Sequence, residues 1–280
     1  MSVKIMIDSA SDINEGEARS LGIFLVPMQV TLGGREYYDG VTLLPDEFFN
    51  KLKESGDMPQ TSLINAFRWE EAFEQATKDG DELVVVTLSS NLSGTHAAAM
   101  QAAEKSQGKV WVVDSLNAAL GERLLGLYAL RLAKENLSAK EIAERLEKQK
   151  SKIRLYAVID TLEYLKKGGR ISATTAFFGE LLGIKPIVSV IDGKVEMIGK
   201  AKGHKKSFQF IHECVKKTGG IDFDMPYGLI YSGADKTNVE KYKEESAEIL
   251  QGHDVQEYSL GCTIGTHIGP GAVGIAYFVE

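Results

Sequence analysis

Hydroxyl side chains cluster in this sequence at points where short apolar runs end. Asp8-Ser-Ala-Ser-Asp12 follows the first such run, Ser89-Ser-Asn-Leu-Ser-Gly-Thr95 follows the second, and Asp114-Ser115 follows the third. A further pair, Thr61-Ser62, precedes a predicted helix. The second segment ends where a helix is predicted to begin, so backbone N–H groups and the positive end of the helix dipole would face the same space. That environment favours an anion.

These segments also have a purely local interpretation. Ser, Thr and Asp are preferred at helix N-termini because their side chains accept hydrogen bonds from backbone N–H groups. N-capping would explain any one segment, but it does not require several of them to share an edge. In a parallel α/β sheet the loops beyond the carboxyl ends of the strands do share an edge, and ligands bind there. Both interpretations stay open from the residues alone.

The C-terminal segment 261–274 carries a histidine among many glycines. Its glycine content predicts an irregular course rather than a helix, with backbone amides able to approach a ligand closely. The segment lacks the context of a dinucleotide-binding fingerprint, and the chain has no P-loop pattern. His267 could donate a hydrogen bond to an anion, and a negative neighbour would favour its protonated form. A lone histidine is, however, more often structural.

Basic residues concentrate in two runs, 166–170 and 200–206, within a chain of net charge -7. Such runs are usually solvated surface. They could also form a docking surface for a partner or for a phosphorylated group. Apolar residues between the two runs are expected in the core: Phe177, Phe178, Leu181, Leu182 and Ile184.

Strands and helices alternate in the first half of the chain. Short β-branched runs at 3–7, 83–88 and 110–113 predict strands buried on both faces of a parallel sheet. Helical patterns separate them, at 67–78, 95–105 and 120–134. This alternation predicts an N-terminal parallel-sheet α/β domain that spans residues 1–153.

Hairpin signals add a second kind of element. Gly33-Gly34 interrupts the alternation in the first half, and Asp192-Gly193 is a strong two-residue hairpin signal in the second half. Hairpins mixed with helices predict a C-terminal α+β domain, residues 154–280, whose sheet is mixed or antiparallel. The polar stretch 148–152 marks the boundary between the two domains.

Composition narrows the classes of function. The chain has 280 residues, 44% of them hydrophobic and 25% charged, as is typical of globular proteins. Its net charge of -7 argues against nucleic acid as a general partner. Two cysteines, Cys214 and Cys262, make neither a disulfide framework nor a four-ligand zinc site, so we expect no metal. Asp8 interrupts the first apolar run, and no stretch is long enough to span a bilayer, so we expect a cytoplasmic location.

The motifs together resemble the DegV family. The N-terminal part of the resemblance rests on segments 8–12, 59–62, 89–95 and 114–115. The C-terminal part rests on Tyr164-Leu-Lys-Lys-Gly-Gly-Arg-Ile-Ser172, Lys185-Pro186 and His267-Ile-Gly-Pro-Gly-Ala272. These motifs cover nearly the whole chain, in order and at appropriate spacing. The resemblance implies a two-domain fold with a fatty acid as ligand between the domains, and no other cofactor.

The best-understood members of that family are the binding subunits of bacterial fatty acid kinase. The resemblance therefore implies that the protein binds a long-chain fatty acid. It also implies that the protein presents the carboxylate to a separate ATP-dependent kinase subunit, which makes an acyl phosphate for phospholipid synthesis.

The resemblance also implies roles for individual residues. The carboxylate would be bound by Thr61, Ser93 and His267. The supporting positions would be Ser62, Gly94, Thr95, Asp114 and Ser115. The partner-facing or phosphate-facing positions would be Arg170, Lys200 and Lys202. Many relatives carry arginine after the second hairpin, where this chain has lysines, and lysine lacks the planar fork that pairs with two phosphate oxygens.

An enzyme is the second class of function that the residues permit. Ser93 could act as nucleophile and His267 as base, with Asp114 or Asp8 orienting the histidine, in an acyl-transfer or hydrolytic reaction. However, Asn91 stands two residues before Ser93, where a nucleophile elbow has glycine. The sequence therefore favours a non-catalytic binding protein, in which neutral hydroxyls and backbone amides hold a carboxylate.

Overall fold

The computed structural model describes residues 2–106, 108–171 and 183–280. Four residues expected in the core, Phe177, Phe178, Leu181 and Leu182, lie outside these ranges, and the fifth, Ile184, is half-buried. No helix within the described ranges is long and apolar enough to cross a membrane.

Strands and helices alternate in the first half, with a short 3-10 turn after the first strand. The elements are, in chain order, β1 (Val3–Asp8), α1 (Glu15–Leu21), β2 (Phe24–Val26), β3 (Gln29–Leu32), β4 (Arg35–Tyr38), α2 (Pro45–Ser55), β5 (Gln60–Ser62), α3 (Ala66–Thr77), β6 (Glu82–Thr87), α4 (Thr95–Ala103), β7 (Val110–Asp114), α5 (Ala119–Ala133) and α6 (Ala139–Gln149).

The second half opens with a strand and closes with one. Its described elements are β8 (Ile153–Val158), α7 (Glu163–Lys167), β9 (Ile184–Ile191), β10 (Lys194–Lys202), α8 (Gly203–Lys217), β11 (Gly228–Tyr231), α9 (Thr237–Glu245), α10 (Ala247–Leu250), β12 (Glu257–Ser259), α11 (Cys262–Ile268) and β13 (Val273–Phe278).

The N-terminal half forms a four-stranded parallel sheet in the order β2-β1-β6-β7. Five of the six residues of β6 are buried, as expected for a parallel strand covered on both faces. Helices α5 and α6 contribute to the core on one face, and α3 and α4 contribute to the core on the other. The predicted parallel-sheet α/β domain is confirmed.

A smaller sheet, in the order β4-β3-β5, packs beside this domain. The predicted hairpin is its β3–β4 turn, where Gly33 and Gly34 have φ of 58° and 71°. Positive φ at both central residues is the geometry that favours glycine in two-residue hairpins. Thr61 and Ser62 lie on β5, which pairs with β3. They are therefore on a strand, and the sequence-based placement of this pair in a loop was wrong.

The C-terminal half forms a six-stranded mixed sheet in the order β10-β9-β8-β13-β11-β12. All its pairings are antiparallel except that of β11 with β12. The second predicted hairpin joins β9 to β10 through Asp192 and Gly193, whose φ values are 48° and 76°. The predicted mixed sheet is confirmed.

Helix α5 joins the two sheets into one core. Its buried residues belong to a single cluster with those of β1 and β6 on one side and those of β8 and β13 on the other. The chain enters the second sheet at Ile153, the first residue of β8. We keep the division into residues 1–153 and 154–280 as a proposal, since β8 begins where the boundary was expected.

The glycine-rich C-terminal segment contradicts its prediction, because Cys262–Ile268 is the helix α11. Asp39 makes the difference: its carboxylate accepts the Cys262 N–H at 2.8 Å and the Thr263 N–H at 3.1 Å. Gly265 lies within the helix, where an added Cβ would come within 2.8 Å of the rings of Phe48 and Phe49. The glycine thus permits close packing, and tertiary contacts outweigh its low helix propensity.

Candidate functional site

A cavity of about 250 Å³ lies between the two halves of the molecule. Its first wall comes from the edge where the parallel strands end. The loops after β2, β6 and β7 contribute Met28, Leu88, Leu92, Ser93, Gly94 and Ala118. The residues at β5 contribute Thr61 and Leu63. Loops that follow different parallel strands therefore meet at one cavity, as the sheet topology predicted.

The second sheet supplies an apolar wall. Val188, Ala157, Gly274 and Ile230 stand directly opposite one another across β9, β8, β13 and β11. Three of these four residues line the cavity. The two residues in the middle of the row, Ala157 and Gly274, have the smallest side chains of the four. Further apolar lining comes from Leu155, Val190, Val195, Leu260, Ile264 and Ile268. This wall suits a hydrocarbon chain.

The β9–β10 turn ties the two halves together beside the cavity. The Ser89 hydroxyl donates to the Gly193 carbonyl at 2.7 Å, and the Asn91 side-chain amide donates to the Asp192 carbonyl at 2.9 Å. An added Cβ at Gly193 would overlap the Ser89 hydroxyl. The loop 89–95 therefore serves two purposes, since it contacts the second domain and also lines the cavity.

Among the described residues, six polar side chains line the cavity. Four of them belong to segments that contact one another, and we call these four, Thr61, Ser93, Arg170 and His267, the polar end; the other two are Ser189 and Thr263. All four line the cavity. The Thr61 hydroxyl lies 3.0 Å from His267 Nε2, within hydrogen-bonding distance. This contact joins β5 to α11 across 206 positions of sequence. The structure thus brings together the three residues that the family resemblance implied as carboxylate ligands.

His267 is neutral at neutral pH. Burial, and secondarily the positive charge of Arg170, lower the pKa of His267 to about 4. Its Nδ1 is buried and has no hydrogen-bond partner among the described residues. An added Cβ at Gly168 would overlap this nitrogen, so the ring packs directly on the glycine. The unliganded site therefore favours the neutral imidazole; the protonated form expected from the sequence depends on a negative neighbour, and the described residues that line the cavity include no acid.

Ser93 is held by a local network. Its hydroxyl accepts a hydrogen bond from the Thr95 N–H at 3.2 Å and lies 2.9 Å from the Thr95 hydroxyl. Thr95 Oγ1 in turn accepts from the Ile64 N–H at 3.3 Å. Thr95 begins α4, and Gly94 at the N-cap has no side chain to cap this helix. The hydroxyls of the loop 89–95 therefore stand at a helix N-terminus, as predicted.

Arg170 faces the same cavity. Its Nε donates to the Leu92 carbonyl at 3.2 Å, and its Nη1 donates to the Gly168 carbonyl at 2.6 Å. These bonds connect the segment after α7 with the loop that carries Ser93. The other two residues expected to face a partner lie elsewhere. Lys200 and Lys202 are exposed on β10, opposite Pro186 and Ile184, and neither is among the described residues that line the cavity.

The remaining predicted positions support the loops or lie outside the site. Asp114 accepts the Ser90 N–H at 3.2 Å and the Leu116 N–H at 3.0 Å, and so braces the loop 89–95. Ser115 is buried and bonds with the backbone of Asn117. Ser62 is exposed on β5, next to the cavity-lining Thr61.

Asp8 and Asp114, the two acids considered for a triad, accept hydrogen bonds from backbone N–H groups. Asp8 accepts the Leu88 N–H at 2.8 Å and the Ala10 N–H at 2.9 Å. Burial outweighs these bonds and raises the pKa of Asp8 to about 6. Asp114 holds the turn described above. Both carboxylates thus fix the edge of the parallel sheet, and within the described ranges neither bonds with His267.

Sequence reasoning missed two residues that position the polar end. Asp39 fixes the start of α11, which carries His267, and Gly168 provides the flat surface against that imidazole. Asp39 stands in no recognisable motif, so the sequence offered no signal for it. Gly168 had a signal: it belongs to the Lys-Gly-Gly-Arg run, where only the basic residues drew attention. Within the described ranges, no group of three His, Cys, Asp or Glu residues could hold a metal ion.

The chain matches known proteins over its length. A family model described as "Uncharacterised protein, DegV family" matches residues 2–280. A DegV domain-containing protein of Caldanaerobacter subterraneus is 36% identical over 279 residues, which cover 98% of each chain. A fatty-acid-binding DegV family protein of Thermus thermophilus has a TM-score of 0.89 and 31% identity, with full coverage of both chains. DegV of Bacillus subtilis, a fatty acid binding protein, has a TM-score of 0.85 and 27% identity, also with full coverage.

The fold and the cavity define a two-domain α/β protein with a mainly apolar cavity between its two halves, lined on one side by the polar end. The matches to known proteins over nearly the whole length of the chain identify its family. The chain belongs to the DegV family.

Proposed function

We propose that this protein binds a long-chain fatty acid, with the hydrocarbon chain in the cavity and the carboxylate at the polar end. The observation that carries the proposal is the pair of hydroxyls, Thr61 and Ser93, at one end of a cavity lined mainly by apolar side chains. Fatty acid binding by the relatives from Thermus thermophilus and Bacillus subtilis supports it.

Each hydroxyl is held so that its own hydrogen stays available to the ligand. With the imidazole proton on Nε2, His267 donates to Thr61 Oγ1, and the Thr61 O–H then donates to one carboxylate oxygen. The Thr95 N–H and hydroxyl both reach Ser93 Oγ, so the Ser93 O–H can donate to the second oxygen. A hydrogen bond to a charged group contributes about 1.5–3 kcal/mol, and donors that themselves accept hydrogen bonds are polarised further.

Lipid extraction tests the proposal most simply. Mass spectrometry of organic extracts from the purified protein should show a long-chain fatty acid, and the intact protein should have its unmodified mass. An extract without fatty acid, combined with no binding of added fatty acid to the delipidated protein, would contradict the proposal. A covalent acyl adduct on Ser93 would instead support the acyl-transfer alternative. That alternative lacks support from the contacts, because Ser93 bonds with Thr95, and Asp8 and Asp114 bond with backbone amides.

We further propose that the protein presents the carboxylate to a separate ATP-dependent kinase subunit, which phosphorylates it for phospholipid synthesis. Neutral hydroxyls hold a carboxylate without attacking it, so a carboxylate oxygen stays available to accept a phosphoryl group from the partner. Arg170, Lys200 and Lys202 are the proposed partner-facing or phosphate-facing residues.

A trapping experiment tests the presentation step. Protein loaded with fatty acid, a fatty acid kinase subunit and ATP should yield an acyl phosphate, which hydroxylamine converts to a hydroxamate. The hydroxamate should require both proteins. Its formation by this protein alone would show that the protein is itself an enzyme. No hydroxamate with a kinase subunit that is active on another binding protein would contradict presentation.

A further inference from the structure

We infer that Arg170 makes the cavity select a carboxylic acid over an uncharged lipid of the same chain length. This inference rests on the proposed function, because it assigns the source of the charge that the carboxylate meets. The family resemblance implies a partner-facing or phosphate-facing position for this arginine, and the structure shows that it lines the cavity.

The charges around the cavity single out Arg170. The described residues that line the cavity include no Asp, Glu or Lys, and their titratable side chains are those of Arg170 and His267. His267 is neutral, for the reasons given above. Thr61 and Ser93 are neutral donors. Among the described lining residues, Arg170 is therefore the source of formal charge at neutral pH.

Neutral donors discriminate between an acid and an alcohol only through the stronger hydrogen bond that a carboxylate oxygen accepts. The hydroxyls of Thr61 and Ser93 can each donate to a carboxylate oxygen or to the oxygen of a fatty alcohol. A guanidinium gains Coulomb energy only from the acid, and the gain is larger where the surroundings exclude water. The arginine therefore adds a Coulomb attraction, which an alcohol does not receive, to the hydrogen bonds that both ligands accept from the hydroxyls.

The position of Arg170 is fixed before a ligand arrives. Its bonds to the Leu92 and Gly168 carbonyls hold the guanidinium between the loop of Ser93 and the glycine that packs on His267. These bonds use two of the five N–H donors of an arginine side chain. The charge already acts within the polar end, since it contributes to the low pKa of His267.

The test compares affinities for palmitic acid and hexadecanol, both below the concentrations at which they aggregate, by displacement of a fluorescent lipid. The wild-type protein should prefer the acid. In Arg170→Gln the ratio of the two affinities should fall by about tenfold, the difference between a charge-assisted and a neutral hydrogen bond. Affinity for the alcohol should change little, and Arg170→Lys should keep part of the preference. Lys167→Gln removes the same charge three positions away, from an exposed lysine paired with Glu163, and should leave the ratio unchanged.

A second measurement needs only the wild-type protein. Affinity for the acid should stay level between about pH 6 and pH 9, because arginine keeps its charge over that range. A steady fall toward high pH would assign the charge to His267 and overturn the inference. An unchanged acid-to-alcohol ratio in Arg170→Gln would overturn it as well, while leaving fatty acid binding intact. Failure of the wild-type protein to bind the acid would instead contradict the proposed function.

Discussion

The two hydroxyls of the polar end are supported in different ways. Ser93 is held by Thr95, two residues away in the same loop. Thr61 is held by His267, which belongs to a helix in the other half of the chain. One of the two proposed carboxylate-binding hydroxyls is therefore held by contacts within a single loop, whereas the other is held by a contact between the two halves of the chain. A carboxylate that contacts both hydroxyls would report on that packing.

The largest effect should come from removing the hydrogen bonds that Asp39 makes at the start of α11. In Asp39→Ala the buried N–H groups of Cys262 and Thr263 lose their acceptor. Each unpaired group costs about 1–3 kcal/mol, so the free energy of unfolding should fall by roughly 3 kcal/mol. Fatty acid affinity should also fall, because His267 moves with the helix. Urea denaturation and ligand displacement measure the two effects. Asp39→Asn keeps one acceptor oxygen and should lose less stability and less affinity. If Asp39→Ala had the stability and affinity of the wild-type protein, the hydrogen bonds at the start of α11 would be unimportant.

A smaller effect should come from Gly168→Ala, which acts on Thr61 through the imidazole of His267. The added methyl overlaps His267 Nδ1 and pushes the imidazole away from Thr61. Overpacking of this kind costs about 1–3 kcal/mol, so we expect roughly tenfold weaker binding of fatty acid. Gly16→Ala is the matched control: it lies on α1, where the methyl meets Asn14 Oδ1 at an ordinary 3.4 Å. Equal affinities in the two variants would mean that the position of His267 is unimportant.

The smallest effect is a pH dependence of stability. It depends on His267 and therefore concerns the contact that holds Thr61, not the one that holds Ser93. The pKa of His267 is about 4 in the folded protein and returns to its ordinary value of 6.5 on unfolding. The unfolded chain therefore binds the extra proton between these values, and stability falls as pH decreases through that window. Relative to His267→Gln, the wild-type protein should lose about 1 kcal/mol between pH 7 and pH 5.5. Buried Asp8, with its pKa raised to about 6, acts in the opposite direction but equally in both proteins. Parallel stability curves would contradict the neutral, buried imidazole.

The regular elements were predictable because their signals are local. Short apolar runs predicted three of the four strands of the parallel sheet, β1, β6 and β7. Gly33-Gly34 and Asp192-Gly193 predicted two hairpins, whose turns have positive φ angles. The edge shared by the hydroxyl loops followed from strand direction. The helix α11 was missed because its stability depends on Asp39, which lies 223 positions from Cys262 in the sequence. The glycine content of segment 261–274, from which an irregular course was predicted, gives no sign of such a distant contact.

The candidate site likewise has some features that the local sequence predicts and others that depend on distant contacts. The hydroxyls of Ser93 and Thr95 stand close together in the sequence, so their placement at a helix start could be predicted. The charge of His267 could not, because it depends on burial and on Arg170 from another segment. Gly168 was hidden for a related reason, since its role appears only where the imidazole packs on it.

The most direct test of fatty acid binding at these two hydroxyls is ligand-induced stabilisation of the delipidated protein, with and without Thr61 and Ser93. A ligand that binds only the folded state adds about 2.7 kcal/mol at a hundredfold excess over its Kd. Palmitic acid at that concentration should stabilise the wild-type protein by this amount. The double variant Thr61→Val with Ser93→Ala should still fold, with a lower free energy of unfolding because His267 Nε2 loses its partner, and should gain little from the same concentration of acid. An equal gain in both proteins would contradict the assignment of the carboxylate to these two hydroxyls.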